Sequence, residues 1–477
     1  MQLKKGQIVE ILVEKLAFGG RGIGEVKSDD SEFAIRDSKG YKIFVDGVVP
    51  GDLVEVSLVK IKKNYAEGKL EKILKFSDLR IKPQCQYFEK CGGCTWQFLD
   101  YHKQLQFKEE QVQEILKHIG GFDLKTLPII GAKEEFFYRN KMEFSFGDGE
   151  DRKFALGLHI PGRRYDVLDI EKCYLQSELS NKILKTIRNW VLKNKLTFYK
   201  FKENKGLLRN LVIREGKNTE EMMINLVCSD EKFDKNLKKD FVDLIKDIDQ
   251  KICSIILTQI SVGKGRRTSM KEETLSKKGN IVEALKIGDL IFKFNISPCS
   301  FFQPNSKQAE ILYSKVLEFA DLKGEEIVYD LYCGTGTIGI ILSKFCKKVY
   351  GIELVEDAVK NGRENANLNN CKNIEFLCGD ATKFLGQISD KPNVIIVDPP
   401  RAGLSNEAIE NILKCFKNSR QQTTDSRLIY VSCNPATFAR DVKIFCEQGF
   451  KLEKVQPIDM FPHTYHVENV GLLVKHI

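Results

Sequence analysis

The sequence predicts an α/β protein with a small N-terminal OB-like β-barrel, a mixed α+β central domain and a C-terminal doubly wound, Rossmann-like sheet. Two observations predict this sheet: from about residue 300 apolar runs of strand length recur, and helical patterns separate them. The predicted strands are 326–330, 348–352, 374–378, 394–397 and 428–432. A third observation, short strands joined by glycine turns near the N-terminus, predicts the barrel.

The barrel is predicted over residues 1–62. Ile8–Leu16 is apolar and rich in β-branched residues, and Val54–Leu58 alternates between apolar and polar residues. The turn Phe18–Gly24 contains four glycines. Small barrels of this type often bind nucleic acid, although the shape of a barrel does not identify its ligand.

The remaining chain is predicted to form two domains. The segments 75–98 and 125–292 belong to the central domain, and the segments 99–124 and 293–477 belong to the C-terminal domain. Tyr101–His118 has apolar residues at helical spacing and precedes two glycines, so it predicts a helix. Two further helices are predicted in the central domain, at 178–195 and 234–247.

Charge and cysteine content limit the function. Of the net charge of +9, most comes from residues 76–290, which carry 39 Lys and Arg against 32 Asp and Glu. This excess is compatible with a polyanion such as RNA, and a solvated lysine-rich surface is the alternative. The chain has 14 cysteines and no apolar run long enough for a signal peptide or a bilayer span. We therefore expect a cytoplasmic protein whose cysteines are thiols or ligands.

A glycine-rich turn after the first C-terminal strand predicts a nucleotide-type cofactor. Gly334, Gly336 and Gly339 form the pattern G-x-G-x-x-G where a strand ends and a helix begins. The pattern alone fits nicotinamide, flavin and S-adenosylmethionine sites alike, and glycines that serve only strand–helix packing are a further alternative.

Acidic strand ends favour S-adenosylmethionine among these cofactors. Glu353 ends the second strand, where it can accept hydrogen bonds from ribose hydroxyls, and Asp380 ends the third, near the expected adenine. Asp398 ends the fourth strand and precedes two prolines. S-adenosylmethionine carries a sulfonium and an ammonium but no phosphate, so carboxylates suit it better than they suit a dinucleotide.

Cys433 follows the fifth strand, at the edge of the sheet where ligands bind in α/β folds. A thiol is needed when the methyl acceptor is a pyrimidine C5 carbon, because thiolate addition at C6 makes C5 nucleophilic. A base must then remove the C5 proton, and Glu468 is the best carboxylate for this step. A structural carboxylate is the alternative for Glu468, and His463 and His466 are rival bases.

Several motifs along the chain resemble those of the bacterial RNA uracil-C5 methyltransferases. They are Ser297–Asn305, Asp330–Gly336, Asp398–Arg401, Ser432–Pro435 and His466–Asn469. The resemblance implies that Cys433 is the nucleophile and Glu468 the base. It implies donor-binding roles for Gln303, Tyr332, Glu353 and Asp398, while Asp380 rests mainly on its strand-end position. The N-terminal 60 residues resemble a TRAM domain, an RNA-binding barrel.

A second group of cysteines precedes the catalytic motifs. Cys85, Cys91 and Cys94 lie in one loop, and Cys173 stands apart. Spacing alone leaves zinc and an iron–sulfur cluster open. The resemblance implies a 4Fe-4S cluster held by these four residues, with a structural or RNA-positioning role.

The resemblance also implies an RNA substrate. Members that have both the barrel and the cluster typically modify 23S ribosomal RNA, so this substrate is preferred over transfer RNA. We expect a monomer with no membrane association. The alternatives are an exocyclic amino-group methyltransferase and a non-catalytic RNA-binding protein. The candidates for RNA contact are Phe137, Arg139, Lys141, Phe144, Lys264, Arg266 and Arg267.

Overall fold

The computed structural model describes residues 3–26, 41–149, 151, 153–163, 165–262, 268–417 and 426–476. It contains a closed barrel, a mixed central sheet and a mostly parallel C-terminal sheet, which confirms the predicted fold class. The RNA-contact candidates Lys264, Arg266 and Arg267 lie outside the described residues.

The N-terminal strands close into a barrel in the order β1-β2-β3-β5-β4. They are β1 (Ile8–Leu16), β2 (Gly22–Val26), β3 (Lys42–Val45), β4 (Leu53–Ile61) and β5 (Tyr65–Lys75). Alternate residues of β1, among them Ile11 and Val13, fill the interior. The barrel continues beyond the predicted boundary at residue 62, because β5 is rich in lysine and glutamate and has little of the hydrophobic signal of a strand.

One helix follows the barrel and the cysteine-bearing loop. This helix, α1 (Tyr101–Ile115), is capped by Asp100, whose side chain accepts a hydrogen bond from the backbone N–H of His102. A π-helical turn, Leu116–Gly120, continues it. Val112 and Leu116 pack into the core of the C-terminal domain.

The central domain is a seven-stranded sheet in the order β12-β11-β10-β9-β6-β7-β8. Its strands are β6 (Lys141–Asp148), β7 (Phe154–His159), β8 (Val167–Asp169), β9 (Leu208–Glu215), β10 (Met222–Ser229), β11 (Ile252–Ser261) and β12 (Ser269–Thr274). Only β10 and β11 pair in parallel among these described strands. Two helices, α2 (Glu178–Lys193) and α3 (Lys235–Lys246), pack on the sheet through an apolar core.

The C-terminal domain begins with a hairpin, β13 (Ile281–Ile287) and β14 (Leu290–Ile296), and continues as a doubly wound sheet in the order β17-β16-β15-β18-β19-β21-β20. Its strands are β15 (Ile327–Leu331), β16 (Lys348–Glu353), β17 (Ile374–Cys378), β18 (Val394–Val397), β19 (Ser426–Ser432), β20 (Lys451–Ile458) and β21 (Glu468–Lys475). Its helices are α4 (Ser306–Ala320), α5 (Thr337–Leu342), α6 (Glu356–Leu368), α7 (Ala381–Phe384), α8 (Asn406–Lys417) and α9 (Pro435–Glu447).

The order of this sheet explains where the site lies. Strands β15 to β19 are parallel, and β21 pairs antiparallel with both β19 and β20. All four residues of β18 are buried, with Val394 and Ile396 in one core and Ile395 and Val397 in the other. Because helices cover both faces, ligands reach the sheet at the carboxyl ends of its parallel strands.

A buried ion pair ties α1 to the segment that connects β20 with β21. The Lys108 ammonium lies 2.7 Å from a carboxylate oxygen of Asp459, and both side chains are fully buried. The Tyr101 hydroxyl donates to the other Asp459 oxygen at 3.0 Å, and the backbone N–H of Phe461 donates to the first. Gln104 accepts a hydrogen bond from the His463 backbone at 2.8 Å. Helix α1 thereby holds the segment that leads into Glu468.

We expect Lys108→Met to lower the free energy of unfolding by about 3–5 kcal/mol, because it leaves the Asp459 carboxylate buried without its cation. Urea denaturation measures the loss. Lys103→Met is the matched control, since Lys103 lies on the same helix and donates to Gln106 at the surface. Equal stability of the two variants would contradict this account of the pair.

Candidate active site

A cavity of about 1440 Å³ opens at the carboxyl ends of the parallel strands. Every residue predicted for catalysis or donor binding lines it. These residues are Gln303, Tyr332, Glu353, Asp380, Asp398, Cys433 and Glu468. They come from distant parts of the sequence, and they meet because parallel strands end at the same edge of a sheet.

The glycine-rich turn between β15 and α5 forms one wall of the cavity. Tyr332, Gly334 and Gly336 all have positive φ angles, 62°, 55° and 77°. A side chain at Gly336 would place its Cβ 2.5 Å from the Phe376 ring, so this position requires glycine. The Glu353 carboxylate accepts from the backbone N–H of Gly334 at 3.0 Å, which joins the ends of β15 and β16.

Asp330, at the end of β15, has an oxygen that faces no donor. One carboxylate oxygen accepts from the Gly339 backbone N–H at 2.8 Å, and the other is buried without a hydrogen-bond partner among the described residues. Burial raises the pKa of Asp330 to about 7. Since Asp330 lines the cavity, the unpartnered oxygen is suited to a cationic group of the methyl donor.

Asp380 also performs a local structural role. Its carboxylate caps the short helix α7 by accepting hydrogen bonds from the Thr382 backbone at 2.9 Å and hydroxyl at 2.8 Å. These bonds hold the pKa of Asp380 below its ordinary value. The cap fixes the direction of the carboxylate at the rim of the cavity.

The loop after β18 is tied to the loop of the nucleophile. The Arg401 carbonyl accepts from the Asn434 side-chain amide at 3.1 Å and from the Thr437 hydroxyl at 3.3 Å. Asn434 also caps α9, by accepting from the Ala436 backbone N–H. The loop that follows Asp398 and the loop that begins with Cys433 are thus joined by hydrogen bonds through Arg401, Asn434 and Thr437.

The sheet register brings Cys433 and Glu468 together. Strand β19 pairs with β21 so that Val431 faces Val470 and Ser432 faces Asn469. Cys433 follows the last pair of this ladder on β19, and Glu468, the first residue of β21, precedes that pair on the partner strand. The thiol and the carboxylate therefore lie at the same end of the ladder. They are close enough for Glu468 to raise the pKa of Cys433, although 34 residues separate them in the sequence.

Burial controls the protonation of this pair. The pKa of Glu468 is raised to about 8 by burial and by the nearby Asp398, while Arg401 opposes the rise. The pKa of Cys433 is raised to about 11 by burial and by Glu468, again opposed by Arg401. The thiol is therefore neutral at pH 7 before ligands bind, and a positive charge beside it would favour the thiolate.

The two histidines that are rival bases occupy different places in the structure. His466 lines the cavity, and its pKa is lowered to about 4 by burial and by Arg401, so it is a neutral imidazole at pH 7. His463 does not line the cavity: it stacks on Phe136 at 4.2 Å, and its Nδ1 lies 3.1 Å from the Gln104 amide. His463 therefore supports the segment before β21 and does not face the cavity.

The charge of the cavity suits a cation. Its lining contains the carboxylates Glu272, Asp330, Glu353, Asp357, Glu364, Asp380, Asp398 and Glu468. Three of them, Asp330, Asp398 and Glu468, are partly or mostly protonated at pH 7, because burial raises their pKa values to about 7, 7 and 8. The permanent cations in the described lining are Lys360 and Arg401. Such a surface attracts the sulfonium and ammonium of S-adenosylmethionine and repels the pyrophosphate of a dinucleotide. Sequence reasoning did not single out Asp330 and Arg401 as site residues, although both lie inside the quoted motifs.

We expect the thermal midpoint of the ligand-free protein to fall as the pH rises from 6.5 to 8. The folded-state pKa values of Asp330, Asp398 and Glu468 are raised to about 7, 7 and 8. Their stabilising contribution is complete below their unfolded pKa values and is lost as the pH passes through the folded ones. His463 and His466 are neutral imidazoles in the folded state, with pKa values of about 4, but they are partly protonated in the unfolded chain at pH 6.5. They therefore oppose the trend weakly at its low end and not above about pH 7.5. Scanning calorimetry measures the trend, which a rising midpoint would contradict.

The four cysteines predicted as ligands line a second, small cavity of about 20 Å³. Burial raises the pKa of Cys94 to about 12 and that of Cys173 to about 11, and neighbouring thiols of the group add to both shifts. The Gly93 backbone N–H lies 3.4 Å from the Cys91 sulfur. In the part of the chain that the structure describes, no group of three or more His, Cys, Asp or Glu side chains is arranged to hold a single metal ion.

The RNA-contact candidates of the central domain differ in accessibility. Phe144 is fully buried, so its prediction as an RNA contact is wrong. The sequence of β6 shows that apolar and polar residues alternate. It does not show which face of the strand is covered by α2 and α3. Arg139 lies over the Phe461 ring at 5.7 Å, beside the cavity, and burial lowers the pKa of Lys141.

Comparison with known proteins identifies the family. Residues 100–477 match the family model described as tRNA (uracil-5-)-methyltransferase, and residues 2–70 match the TRAM domain. The chain belongs to the tRNA (uracil-5-)-methyltransferase family. It is an S-adenosylmethionine-dependent RNA uracil-C5 methyltransferase with an N-terminal TRAM domain, and this confirms the predicted family, fold and enzyme class.

Relatives and solved structures agree with the family assignment. An RNA methyltransferase of Clostridium tetani, itself uncharacterized, is 36% identical over 99% of this chain and 97% of its own. One from Caldanaerobacter subterraneus is 39% identical over 99% of this chain and its full length. The Pyrococcus abyssi tRNA (uracil-54, C5)-methyltransferase, solved with S-adenosyl-L-homocysteine, has a TM-score of 0.73 and 29% identity, and the match covers 97% of this chain and 99% of that chain. None of the described helices of this family member is long and apolar enough to cross a membrane.

Proposed function

We propose that this enzyme methylates C5 of a specific uridine in 23S ribosomal RNA through a covalent bond between Cys433 and uracil C6. The observation that carries the proposal is that Cys433 and Glu468, at the same end of the β19–β21 ladder, line the same cavity as the acidic residues proposed to bind the donor. A nitrogen or oxygen acceptor would need no thiol at this position, whereas C5 of uracil needs one to become nucleophilic.

S-adenosylmethionine, when bound, supplies a methyl group on a positively charged sulfur. Asp330, Asp398 and Glu353 would hold the donor, with Gln303, Tyr332 and Asp380 at the wall and rim of the cavity. Burial keeps Cys433 protonated, and a cation held beside it would lower the pKa of the thiol. Cys433 would then lose its proton to solvent and become a nucleophile.

Cys433 adds to uracil C6, and the electrons of the C5=C6 double bond move toward C4 and its oxygen. The enolate formed in this way attacks the donor methyl through C5, and the C–S bond of the donor breaks to leave a neutral thioether. Glu468 then removes the proton that remains on C5, the double bond returns, and the Cys433 thiolate is expelled. A carboxyl with a pKa of about 8 is matched to accepting that proton near neutral pH.

Release of tritium from uracil C5 tests this reaction. RNA labelled at that position should lose one tritium for each methyl group that the enzyme transfers, since C5 methylation displaces this hydrogen. Methyl transfer without tritium release would assign the methyl to a nitrogen or oxygen and overturn the proposal. RNA binding without any methyl transfer would indicate a non-catalytic RNA-binding protein.

Transfer RNA is the second candidate substrate. The solved P. abyssi enzyme named for tRNA uracil-54 matches 97% of this chain, so the overall architecture does not by itself separate the two substrates. Mapping of 5-methyluridine in purified 23S rRNA and in purified tRNA, each incubated with this enzyme and the donor, separates them. Methylation confined to tRNA would replace the ribosomal assignment.

We also propose a 4Fe-4S cluster held by Cys85, Cys91, Cys94 and Cys173. These thiols share one cavity, and four soft thiolates are the usual ligands of such a cluster. Its role here is structural: it would fasten the loop of Cys85–Cys94 to the central sheet.

Iron and sulfide analysis of anaerobically purified protein tests the cluster. We expect about four iron and four sulfide per chain, with a brown colour that Cys94→Ser removes. Cys228→Ala, which changes a buried cysteine outside this cavity, should keep both. About one zinc per chain would support the zinc alternative instead.

A further inference from the structure

A cluster of aromatic and cationic side chains lies on the central domain, away from the cavity that holds Cys433. We define it as the stacking cluster: Tyr165, Tyr199, Phe201, Lys202 and Arg209. The Tyr165 and Phe201 rings are 6.3 Å apart, and Tyr199 meets Phe201 edge-on at 5.2 Å. The Arg209 guanidinium lies 4.1 Å from the Tyr199 ring, and the Lys202 ammonium lies 5.3 Å from the Tyr165 ring.

Two rings of the stacking cluster are open to solvent. Phe201 is 56% exposed and Tyr165 is 43% exposed, whereas Tyr199 beneath them is buried. Large apolar rings gain free energy by leaving water, so two neighbouring rings held at the surface indicate a binding surface.

The turn that carries Phe201 is rigid. The backbone N–H groups of Glu203 and Asn204 both donate to the Lys200 carbonyl, and the Lys200 N–H donates to the Lys205 carbonyl at 2.7 Å. The Tyr199 hydroxyl donates to the Asn204 side chain. The Gly206 backbone N–H donates to Glu231 at 2.6 Å. Phe201 is therefore presented in a fixed position, which lowers the entropy lost when a ligand binds.

The charge around these rings is positive. Lys202, Lys205 and Arg209 have no ion-pair partner among the described residues, while Lys200 pairs at 3.8 Å with Glu203. One terminal nitrogen of Arg209 is buried without a hydrogen-bond acceptor in the same part of the chain. Exposed rings flanked by unpaired cations fit a single-stranded nucleic acid, whose bases stack on the rings and whose phosphates meet the cations.

Strand β9 gives the distance from the stacking cluster to the active site. Arg209 lies at the start of β9, and Arg214, five residues on, donates to the carbonyl of Ser300, which lines the cavity. At about 3.3 Å per residue, the two arginine backbones are about 17 Å apart. An RNA that fills the cavity must extend over several nucleotides to reach the cluster.

We infer that the stacking cluster binds an unpaired nucleotide of the RNA substrate, several nucleotides from the uridine that is methylated. The inference rests on the proposed function for the identity of the RNA, and it adds a contact that fixes which uridine enters the cavity. Protein partners also use exposed aromatic residues, but the unpaired cations favour a polyanion.

Binding of RNA by fluorescence anisotropy tests the inference without requiring methylation. The variant is Tyr165→Ala/Phe201→Ala, which removes both exposed rings. Tyr165→Phe/Phe201→Tyr is the matched control because it keeps them, and Ile291→Ala removes an apolar side chain of similar exposure, 65%, elsewhere. One probe is a single-stranded RNA of about 30 nucleotides that contains the uridine to be methylated. The other probe is a trinucleotide centred on that uridine.

We expect the alanine variant to bind the longer RNA about 5-fold to 100-fold more weakly, and both controls to bind it like the wild type. Affinity for the trinucleotide and for the methyl donor should not change. Unchanged affinity for the longer RNA would overturn the inference. An equal loss of affinity for the trinucleotide would also overturn it, because the effect of the substitutions would then lie at the cavity. Weaker binding by the variant, together with no tritium release by the wild type, would support the stacking cluster and refute the proposed function.

Discussion

Cys433→Ala should lower the rate of methyl transfer at least about 10⁴-fold, because no other group can activate the uracil ring for attack through C5. The donor should bind with unchanged affinity, since the carboxylates that attract it remain in place. Transfer of labelled methyl groups to RNA measures the rate, and isothermal titration calorimetry measures donor affinity.

Cys299→Ala is the matched control for this loss. Cys299 also lines the cavity, but it lies between β14 and α4 and not at the carboxyl end of a parallel strand, and its sulfur lies 2.9 Å from Glu272. It is therefore not placed as the nucleophile. We expect this variant to retain most of the wild-type rate. Turnover by Cys433→Ala within tenfold of the wild type would remove the covalent step from the mechanism.

Glu468→Gln should trap the enzyme on its RNA. Cys433 can still add to C6 and C5 can still receive the methyl group, but the amide cannot accept the C5 proton, so the thiol cannot leave. We expect turnover to fall by about 10²–10⁴-fold and a methylated protein–RNA adduct to accumulate. Denaturing gel electrophoresis with RNA labelled at one end detects the adduct as a band of lower mobility.

The pH dependence of adduct decay identifies the base. With a pKa of about 8, Glu468 is mostly protonated at pH 7, so the decay rate in the wild type should rise with pH. It should reach half its maximum near pH 8 and level off about one unit higher. In Glu468→Gln the decay should be slow and independent of pH. Glu135→Gln is the control, because burial also raises the pKa of Glu135 but this residue does not line the cavity. Failure of Glu468→Gln to accumulate any adduct would point to His466 as the base.

Patterns of local hydrophobicity predicted most of the C-terminal fold. The strands 374–378 and 394–397 match β17 and β18 at both ends, because buried parallel strands are short, continuous apolar runs. The barrel boundary at residue 62 missed β5, whose charged residues form a strand only because the barrel closes through it. Phe144 was misassigned for a related reason: alternation shows that a strand has two faces, not which one packs against helices.

The site residues that the sequence predicted are those in motifs at strand ends. Glu353, Asp398 and Cys433 each follow a recognisable strand, and a parallel sheet brings such positions to one edge. Asp330 and Arg401 were passed over because their importance comes from an unpartnered oxygen and from nearby charges. Neither property has a signature in residue spacing.

The sequence by itself determined the type of sheet, the residues at its carboxyl edge and the reaction that a thiol and a carboxylate there can perform. Only the tertiary structure decided that Cys433 and Glu468 meet at one end of the β19–β21 ladder, and that α1 holds the segment before β21 through Lys108 and Asp459. It also decided that burial raises the pKa of both reacting groups. The reason is physical. Register, ion pairing and desolvation depend on which distant segments meet, and a pKa responds to that environment rather than to neighbours in the chain.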